Sequence, residues 1–427
     1  MIAGLMILLL LLLLALGLPV AFVMGVSGAV GLLIFGGPQV VVGILSTSPM
    51  STASTYELVT IPMFILMAEF VITSQIADEM FDTIVVWVGR VRGGLAIATA
   101  FAGAGFGAIS GSSTAGAATL ASTALPAMIR HGYNRKMANG VVAISGTLAM
   151  LIPPSVAAIL YALVADQDLG KMLIAGIIPG ILVALTIAAT IVFLVWRHPD
   201  SAPMGKSYSL RDKFLSLKIT GAMMFLILMV TGVIYLGVAT PTEASSIGAL
   251  SAFLIAWYRG RMTWAVFYRA VTSAARTSAM ITMIIVGAHI FGYFMTITQY
   301  TQQFIVFIGG LNLHPYVILT IIIFLYIILG MFMDQIAILI LTVPILLPLI
   351  LSLGFDPIWF GILIILTAEV GMVTPPIGMN CFVVARYTGR PAEEVFIGVF
   401  PHVVAHVLLI VFIAAVPEIV LWLPSTM

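Results

Sequence analysis

The chain has 427 residues, of which 62% are hydrophobic and 8% are charged, and its formal net charge is +1. So few charged side chains cannot cover the surface of a soluble protein of this length, so the composition predicts an all-α, polytopic membrane protein. The small net charge argues against a nucleic-acid footprint. The one cysteine, Cys381, excludes an intrachain disulfide and a cysteine metal cage.

The first half predicts five membrane crossings, each near the roughly 20 residues that a helix needs to cross a bilayer. They are expected at residues 1–17, 19–36, 56–75, 137–165 and 171–196. Residues 93–109 and 113–129 form two shorter apolar segments, separated by a polar run from Ile109 to Thr114. Each would reach about 25 Å, less than the hydrocarbon core of roughly 30 Å. The pair therefore predicts a re-entrant helical hairpin over 93–129, and an interfacial arm helix should precede it at residues 76–92.

A shift of 222 residues aligns the second half with the first without a gap. Five prolines then coincide, namely Pro19, Pro126, Pro153, Pro154 and Pro179 with Pro241, Pro348, Pro375, Pro376 and Pro401. The alignment predicts a duplicated unit, with a first repeat at 1–205, a connector at 206–222 and a second repeat at 223–427. The second-half crossings are then expected at 216–237, 241–258, 278–297, 356–387 and 393–423, with an arm at 298–314 and hairpin arms at 315–331 and 335–351.

Five crossings per unit place the two units in opposite orientations, the arrangement called an inverted repeat. Basic residues mark the connector as cytoplasmic by the positive-inside rule: Arg197, Lys206, Arg211, Lys213 and Lys218. Counting crossings from this connector predicts that both termini are periplasmic. The bases of the first hairpin are basic, whereas residues 298–314 and 352–357 contain no lysine or arginine. The hairpins are therefore expected to enter from opposite sides, although each arm could alternatively be a complete span.

Two crossings are predicted to break in mid-membrane, at Pro153-Pro154 and at Pro375-Pro376. Two consecutive prolines remove two backbone donors, which frees the carbonyls around residues 149–152 and 371–374. Such backbone is tolerated in a bilayer only where it lines a cavity or is buried in protein. Freed carbonyls are hard oxygen ligands that suit Na⁺, and the positive ends of the broken helices and hairpin tips suit an anionic substrate.

The hairpin tips also contain polar side chains. Asp334 is a carboxylate within an apolar run, which is costly and usually functional, and the shift aligns it with Ser112. Close helix packing is the alternative role for these small and polar residues. The predicted substrate-binding residues are Ser112, Ser113, Ser145, Thr147, Asp334 and Gln335. The sequence leaves open the depth of three further acids, Glu69, Glu243 and Glu369.

A family resemblance is carried by four segments of the first half and two of the second. They are Phe106 to Ala115, Leu125-Pro126, Gly132-Tyr133 and Leu151 to Ser155, then Gly330 to Asp334 and Gly371 to Gly378. Together they resemble the large membrane subunit (M, or DctM-like) of TRAP (tripartite ATP-independent periplasmic) transporters. The resemblance implies a Na⁺-coupled importer of the elevator type, of the ion-transporter superfamily, in a bacterial or archaeal inner membrane. The family's Na⁺ sites correspond here to Ser110, Ser112, Ala149, Ile152 and Pro154, and to Gly330, Gly371, Thr374 and Pro376.

The resemblance also implies partners. A small four-helix membrane subunit (Q, or DctQ-like) is expected as a separate chain, because this sequence begins at Met1 with a span of the large unit. A periplasmic binding protein would deliver an organic anion such as a C4-dicarboxylate or sialic acid, and no organic cofactor is expected. The nearest alternative is a Na⁺- or H⁺-coupled carboxylate carrier of the same fold that works without a binding protein.

Two other functional classes are disfavoured. An intramembrane hydrolase using Ser112 or Ser113 would need a general base, and none of the six histidines is near these serines in sequence. A channel is disfavoured because a repeat with re-entrant hairpins is typical of alternating access.

Overall fold

A computed structural model of the chain describes residues 2–73, 78–88, 90–205 and 208–427, without the side chains of residues 78, 79, 108, 109 and 218–220. Several predicted positions lie outside the described residues, namely residue 1 of the first crossing, residues 74 and 75 of the third crossing, residues 76, 77 and 89 of the first arm, and residues 206 and 207 of the connector, which include Lys206. The described chain folds into α-helices joined by turns and short 3₁₀ segments. This result confirms the predicted all-α, polytopic class.

The described part of the first half contains ten α-helices, whose boundaries follow the predicted segments closely at the hairpin. They are α1 (Ile2–Ala15), α2 (Val20–Ala53), α3 (Thr60–Thr73), α4 (Asp78–Val88), α5 (Gly94–Ser110), α6 (Ser113–Arg130), α7 (Arg135–Gly146), α8 (Val156–Val164), α9 (Leu169–Ala175) and α10 (Ile177–Arg197).

Ten more helices form the second half. They are α11 (Leu210–Tyr235), α12 (Pro241–Tyr258), α13 (Trp264–Ile297), α14 (Tyr300–Gly310), α15 (Pro315–Phe332), α16 (Gln335–Ser352), α17 (Pro357–Gly371), α18 (Met379–Thr388), α19 (Ala392–Ala415) and α20 (Glu418–Leu421). Adding 222 to the bounds of α4 gives those of α14, and adding 222 to the bounds of α6 gives those of α16. Both diproline bonds, Pro153-Pro154 and Pro375-Pro376, are cis.

Within the described residues, seven helices are long and apolar enough to cross a membrane, or eight if the two parts of α11 count as one span. The arms of the second hairpin, α15 and α16, are among them with 18 residues each, or about 27 Å. The arms of the first hairpin are not. The depth of each hairpin therefore stays a prediction from charge and repeat symmetry.

Two predicted crossings have different bounds in the structure. The crossing expected at 19–36 continues as α2 to Ala53, across a kink at Gly37, which has φ of 77° and ψ of 178°. The crossing expected at 278–297 is the second part of one 34-residue helix, α13, which begins at Trp264 and includes Arg269 and Arg276 before the apolar part. No proline interrupts residues 264–297, so the change in polarity near residue 277 does not break the backbone helix.

The predicted connector is partly helical. Residues 210–222 already belong to α11, because Ser209 and Asp212 form a reciprocal capping box at its first turn. The boundaries of the two repeats remain predictions.

The helices pack in two groups. The outer group contains α1–α3 and α11–α13, in which α2 packs along α13 and α3 packs against α12. The inner group contains α5–α10 and α15–α19. Here the two halves interlock, because α8 packs against α16 while α18 packs against α6. Within the second half, fully buried Trp359 joins α17 to α19, since its Nε1 donates to the carbonyl of Ile413 at 3.1 Å. The groups meet where α3 contacts α5 and where α13 contacts α16.

Candidate functional site

The tip of the first hairpin is a tight turn between two helices. Helix α5 ends at Ser110, and Gly111 adopts a left-handed conformation with φ of 56°. A residue with a side chain rarely adopts this conformation, so glycine fits here. Ser112 then caps α6 by accepting a hydrogen bond from the N–H of Ala115 at 3.4 Å. The hydroxyl of Ser110 is buried and has no partner in the described part of the chain.

The tip of the second hairpin has the same plan with a different side chain. Helix α15 ends at Phe332, and Asp334 caps α16 by accepting from the N–H of Ile336 at 3.1 Å. The sequence alignment of Ser112 with Asp334 thus pairs two helix caps. Because a carboxylate replaces a hydroxyl, the N-terminus of α16 already has a negative partner, whereas that of α6 has a neutral one.

The first broken helix is interrupted for nine residues. Helix α7 ends at Gly146, a 3₁₀ turn covers Thr147–Met150, and α8 begins at Val156. Ser155 stabilises the restart, because its hydroxyl accepts from the N–H of Ala158 at 3.1 Å and donates to the carbonyl of Met150. Pro154 is buried, and half-buried Ile152 lies against Gly180 of α10.

The second broken helix has a similar course. Helix α17 ends at Gly371, and Thr374 folds back so that its N–H donates to the Gly371 carbonyl at 2.9 Å. Its hydroxyl donates to the carbonyl of Val370 at 2.6 Å. Pro376 is exposed. The N–H of Asn380 closes the loop by donating to the carbonyl of Met372 at 3.1 Å.

Each hairpin contacts a broken helix through glycine. A Cβ atom added to Gly107 would lie 2.4 Å from the Cα of Ala149, and one added to Gly371 would lie 2.5 Å from the Cα of Gly330. Only residues without a side chain permit backbones to approach this closely. The structure therefore brings together Gly330 and Gly371 of the second predicted Na⁺ set, and it places Ala149 of the first set beside α5.

Both hairpin tips meet α17 at one level. The Ser113 hydroxyl lies 2.7 Å and 2.6 Å from the two carboxylate oxygens of Glu369, which is 4% exposed. From the other hairpin, the Gln335 side-chain amide donates to the carbonyl of Ile365 at 3.2 Å, one turn before Glu369. The sequence did not identify Glu369 as a site residue. One sequence signal could have indicated it, because Glu369 is the one charged residue among residues 357–371. Its partner Ser113 could not be found in this way, because it lies 256 residues away in the chain.

Two predicted substrate-binding residues donate their hydroxyls to backbone carbonyls of α7. Ser145 donates to the carbonyl of Val141 at 2.6 Å, and Thr147 donates to that of Ile144 at 2.7 Å. Both are buried, so only their oxygen lone pairs remain for a ligand. In contrast, Gln335 Oε1 and both polar side-chain atoms of Asn380 are buried and have no partner among the described residues. Asn380 was not among the predicted site residues.

The other two acids whose depth the sequence left open lie in the outer group. Glu69 of α3 accepts a hydrogen bond from the hydroxyl of Ser273 on α13 at 2.5 Å. Glu243 is exposed and forms a capping box with Thr240 at the start of α12. Neither takes part in the hairpin tips.

A cavity of about 650 Å³ separates the second tip from the outer group. Its wall on the hairpin side includes Asp334, Ile336 and Ala337. Its opposite wall includes Ala21 of α2 and four residues of α13, namely Ala279, Met280, Met283 and Ile284. The lining is otherwise apolar. Asp334 is therefore both a helix cap and the acidic group of a space between the two helix groups.

Comparison with known proteins gives consistent matches over the whole chain. Residues 7–419 match the family described as "Tripartite ATP-independent periplasmic transporter, DctM component". The C4-dicarboxylate TRAP transporter large permease DctM of Pseudomonas aeruginosa is 33% identical over 403 residues, covering 94% of this chain and 93% of the relative. The sialic acid TRAP transporter large permease SiaM of Vibrio cholerae is 29% identical, covering 87% and 86%. Among solved structures, the Alcanivorax borkumensis YdaH transporter shares the fold, with a TM-score of 0.67, 14% identity, and 97% and 98% coverage.

Proposed function

Since the chain belongs to the DctM family of TRAP transporter large permeases, we propose that it imports an organic anion by Na⁺-coupled, elevator-type alternating access. The family consists of transporters for organic acids and works with a small membrane subunit and a periplasmic binding protein. Membership makes this chain a multi-span transport subunit rather than a hydrolase. The observation that carries the finer proposal is the meeting of both hairpin tips with α17 at Ser113–Glu369 and Gln335–Ile365.

Two Na⁺ ions travel with the substrate in this proposal, one at each broken helix. The first is held by Ser110, Ser112, Ala149, Ile152 and Pro154, and the second by Gly330, Gly371, Thr374 and Pro376. The backbone contacts Gly107–Ala149 and Gly330–Gly371 support it, because they bring a hairpin arm within reach of each break. Na⁺ prefers hard oxygen ligands, which carbonyl and hydroxyl groups provide without a buried charge.

The substrate anion binds between the tips, at Ser112, Ser113, Ser145, Thr147, Asp334 and Gln335. The N-terminus of α6, which has a neutral serine cap, is the better end for the anion. The N-terminus of α16 already faces the Asp334 carboxylate, so Asp334 repels a second anion unless Na⁺ or a donor group of the substrate lies between them.

The inner group is the moving body and the outer group is the scaffold. The interlocking of α8 with α16 and of α18 with α6 supports this division, because neither hairpin can move far without the other. The cavity of about 650 Å³ beside Asp334 gives the second tip space on the scaffold side. Both termini are periplasmic in this proposal, and the small four-helix subunit is a separate chain.

Uptake into proteoliposomes tests the function. The chain is reconstituted with a small subunit of the family, and labelled succinate or sialic acid is offered with a matching binding protein. Uptake should require both an inward Na⁺ gradient and the binding protein. Uptake without any Na⁺ gradient would remove the coupling, and equal uptake without the binding protein would indicate a self-sufficient carrier.

A further inference from the structure

A second polar cavity lies far from the hairpin tips, where the end of α6, the start of α7 and the end of α18 meet. Its volume is about 380 Å³, and Arg130, Arg135 and Arg390 line it. These three arginines come from three separate helices or their ends, so the fold gathers them from distant parts of the sequence. Asn139, which is only 2% exposed, lines the same cavity.

The positive charge of this cavity is only partly compensated. Arg390 pairs with Glu394 at 3.5 Å. Arg130 donates to a carbonyl of its own helix, that of Pro126, at 3.3 Å. Among the described residues, neither Arg130 nor Arg135 has an ion pair. Three guanidinium groups against one carboxylate leave a site that attracts an anion with two or more oxygen atoms, because guanidinium binds phosphate and carboxylate in a bidentate way.

The shape of the cavity distinguishes between anions. Its wall on α6 consists of apolar residues that share one helix face, Ala121, Leu125 and Ile129. This face extends for about 12 Å from the arginines along the helix. A free phosphate or a small organic acid has no apolar part to cover such a wall. A phospholipid has one, since its glycerol and acyl chains follow directly from the phosphate.

We propose that this cavity binds an anionic phospholipid, with its phosphate at the three arginines and its acyl region along α6. The cavity lies at the base of the first hairpin, on the side predicted to be cytoplasmic, where anionic headgroups attract basic residues. The lipid would contact both the first hairpin and the end of α18, two elements of the inner group. The proposal does not depend on Na⁺ coupling or on the substrate.

Lipid binding to the purified, delipidated chain tests the assignment. Native mass spectrometry would count bound phosphatidylglycerol and phosphatidylcholine with the same acyl chains. Three variants are compared with the wild type. The triple variant combines Arg130→Gln, Arg135→Gln and Arg390→Gln, the single variant has only Arg135→Gln, and the control is Arg211→Gln in α11. We expect wild type and control to prefer phosphatidylglycerol about tenfold, and the triple variant to lose this preference. Because Arg135 is exposed, the single variant should fold, so its phosphatidylglycerol preference can be measured even if the triple variant does not fold.

Two results would overturn the proposal. One is an unchanged phosphatidylglycerol preference in both the single and the triple variant. The other is displacement of the lipid by inorganic phosphate at millimolar concentration, with phosphate binding lost in the arginine variants. That result would make the cavity a site for a soluble anion. Phosphatidylglycerol binding that inorganic phosphate does not displace supports the lipid source.

Discussion

The contact between Ser113 and Glu369 should hold the first hairpin tip in place, and Ser113→Ala removes it. The serine hydroxyl is the one hydrogen-bond donor to this carboxylate in the described residues, at 2.6 and 2.7 Å. Leaving a buried polar group without its hydrogen-bond partner costs about 1–3 kcal/mol, whereas bonds between membrane helices average about 0.6 kcal/mol. Because Glu369 is buried and would lose its partner, we take about 2 kcal/mol. For a chain of 427 residues, with an unfolding entropy of about 2.1 cal/mol/K per residue, this corresponds to a fall in Tm of roughly 2 °C.

The assay combines thermal unfolding in detergent with Na⁺-dependent uptake in proteoliposomes. If the tip must be held for binding, the same loss weakens the apparent affinity for Na⁺ by roughly thirtyfold. Ser122→Ala on the same helix is the matched control, because its exposed hydroxyl bonds only to the carbonyl of Thr119. Equal Tm values and equal uptake for the Ser113 and Ser122 variants would refute the reasoning.

Three further changes follow from the site. Asp334→Asn keeps a side-chain cap on α16 but removes the charge, so uptake should fall about tenfold with Tm unchanged. Full uptake by this variant would indicate that Asp334 serves only in helix packing. Gly371→Ala adds a Cβ 2.5 Å from the Cα of Gly330, so the Na⁺ concentration for half-maximal uptake should rise at least tenfold, while Gly292→Ala, with open space around it, should have no effect. A similar Na⁺ dependence in both glycine variants would contradict the second Na⁺ site. Replacing Na⁺ by choline on both sides should abolish uptake, and a remaining proton-driven rate would contradict Na⁺ as the coupling ion.

The hairpins could be predicted from sequence to within about one residue. The predicted arms at 113–129 and 335–351 correspond to α6 and α16, because small and polar residues end the apolar periodicity at the tips. The predicted end of a crossing at residue 36 corresponds to the kink at Gly37, although the helix resumes beyond it. These features are local, so the sequence contains the signals that determine them.

The missed features depend on contacts between distant residues or on the absence of a break. The role of Glu369 is visible only when α6 and α17 are brought together, since nothing near residue 369 indicates that Ser113 is its partner. The same holds for Asn380, whose buried amide is a feature of the packing around α18. The predicted crossing at 278–297 covers only the apolar part of α13, because backbone hydrogen bonding continues through the change of polarity after Arg276.

The most direct test of the proposed transport mechanism is a cross-link between the two helix groups. Ala279 of α13 and Ala337 of α16 line opposite sides of the 650 Å³ cavity. In a Cys381→Ala background, both would be replaced by cysteine and joined with a short bis-maleimide. A control pair, Thr60→Cys with Thr242→Cys, lies within the outer group, where the native hydroxyls are buried and 2.8 Å apart, so these cysteines would be joined by oxidation to a disulfide instead. We predict that the first cross-link abolishes uptake while the control link leaves it intact. Full uptake with the two groups joined would contradict the elevator movement.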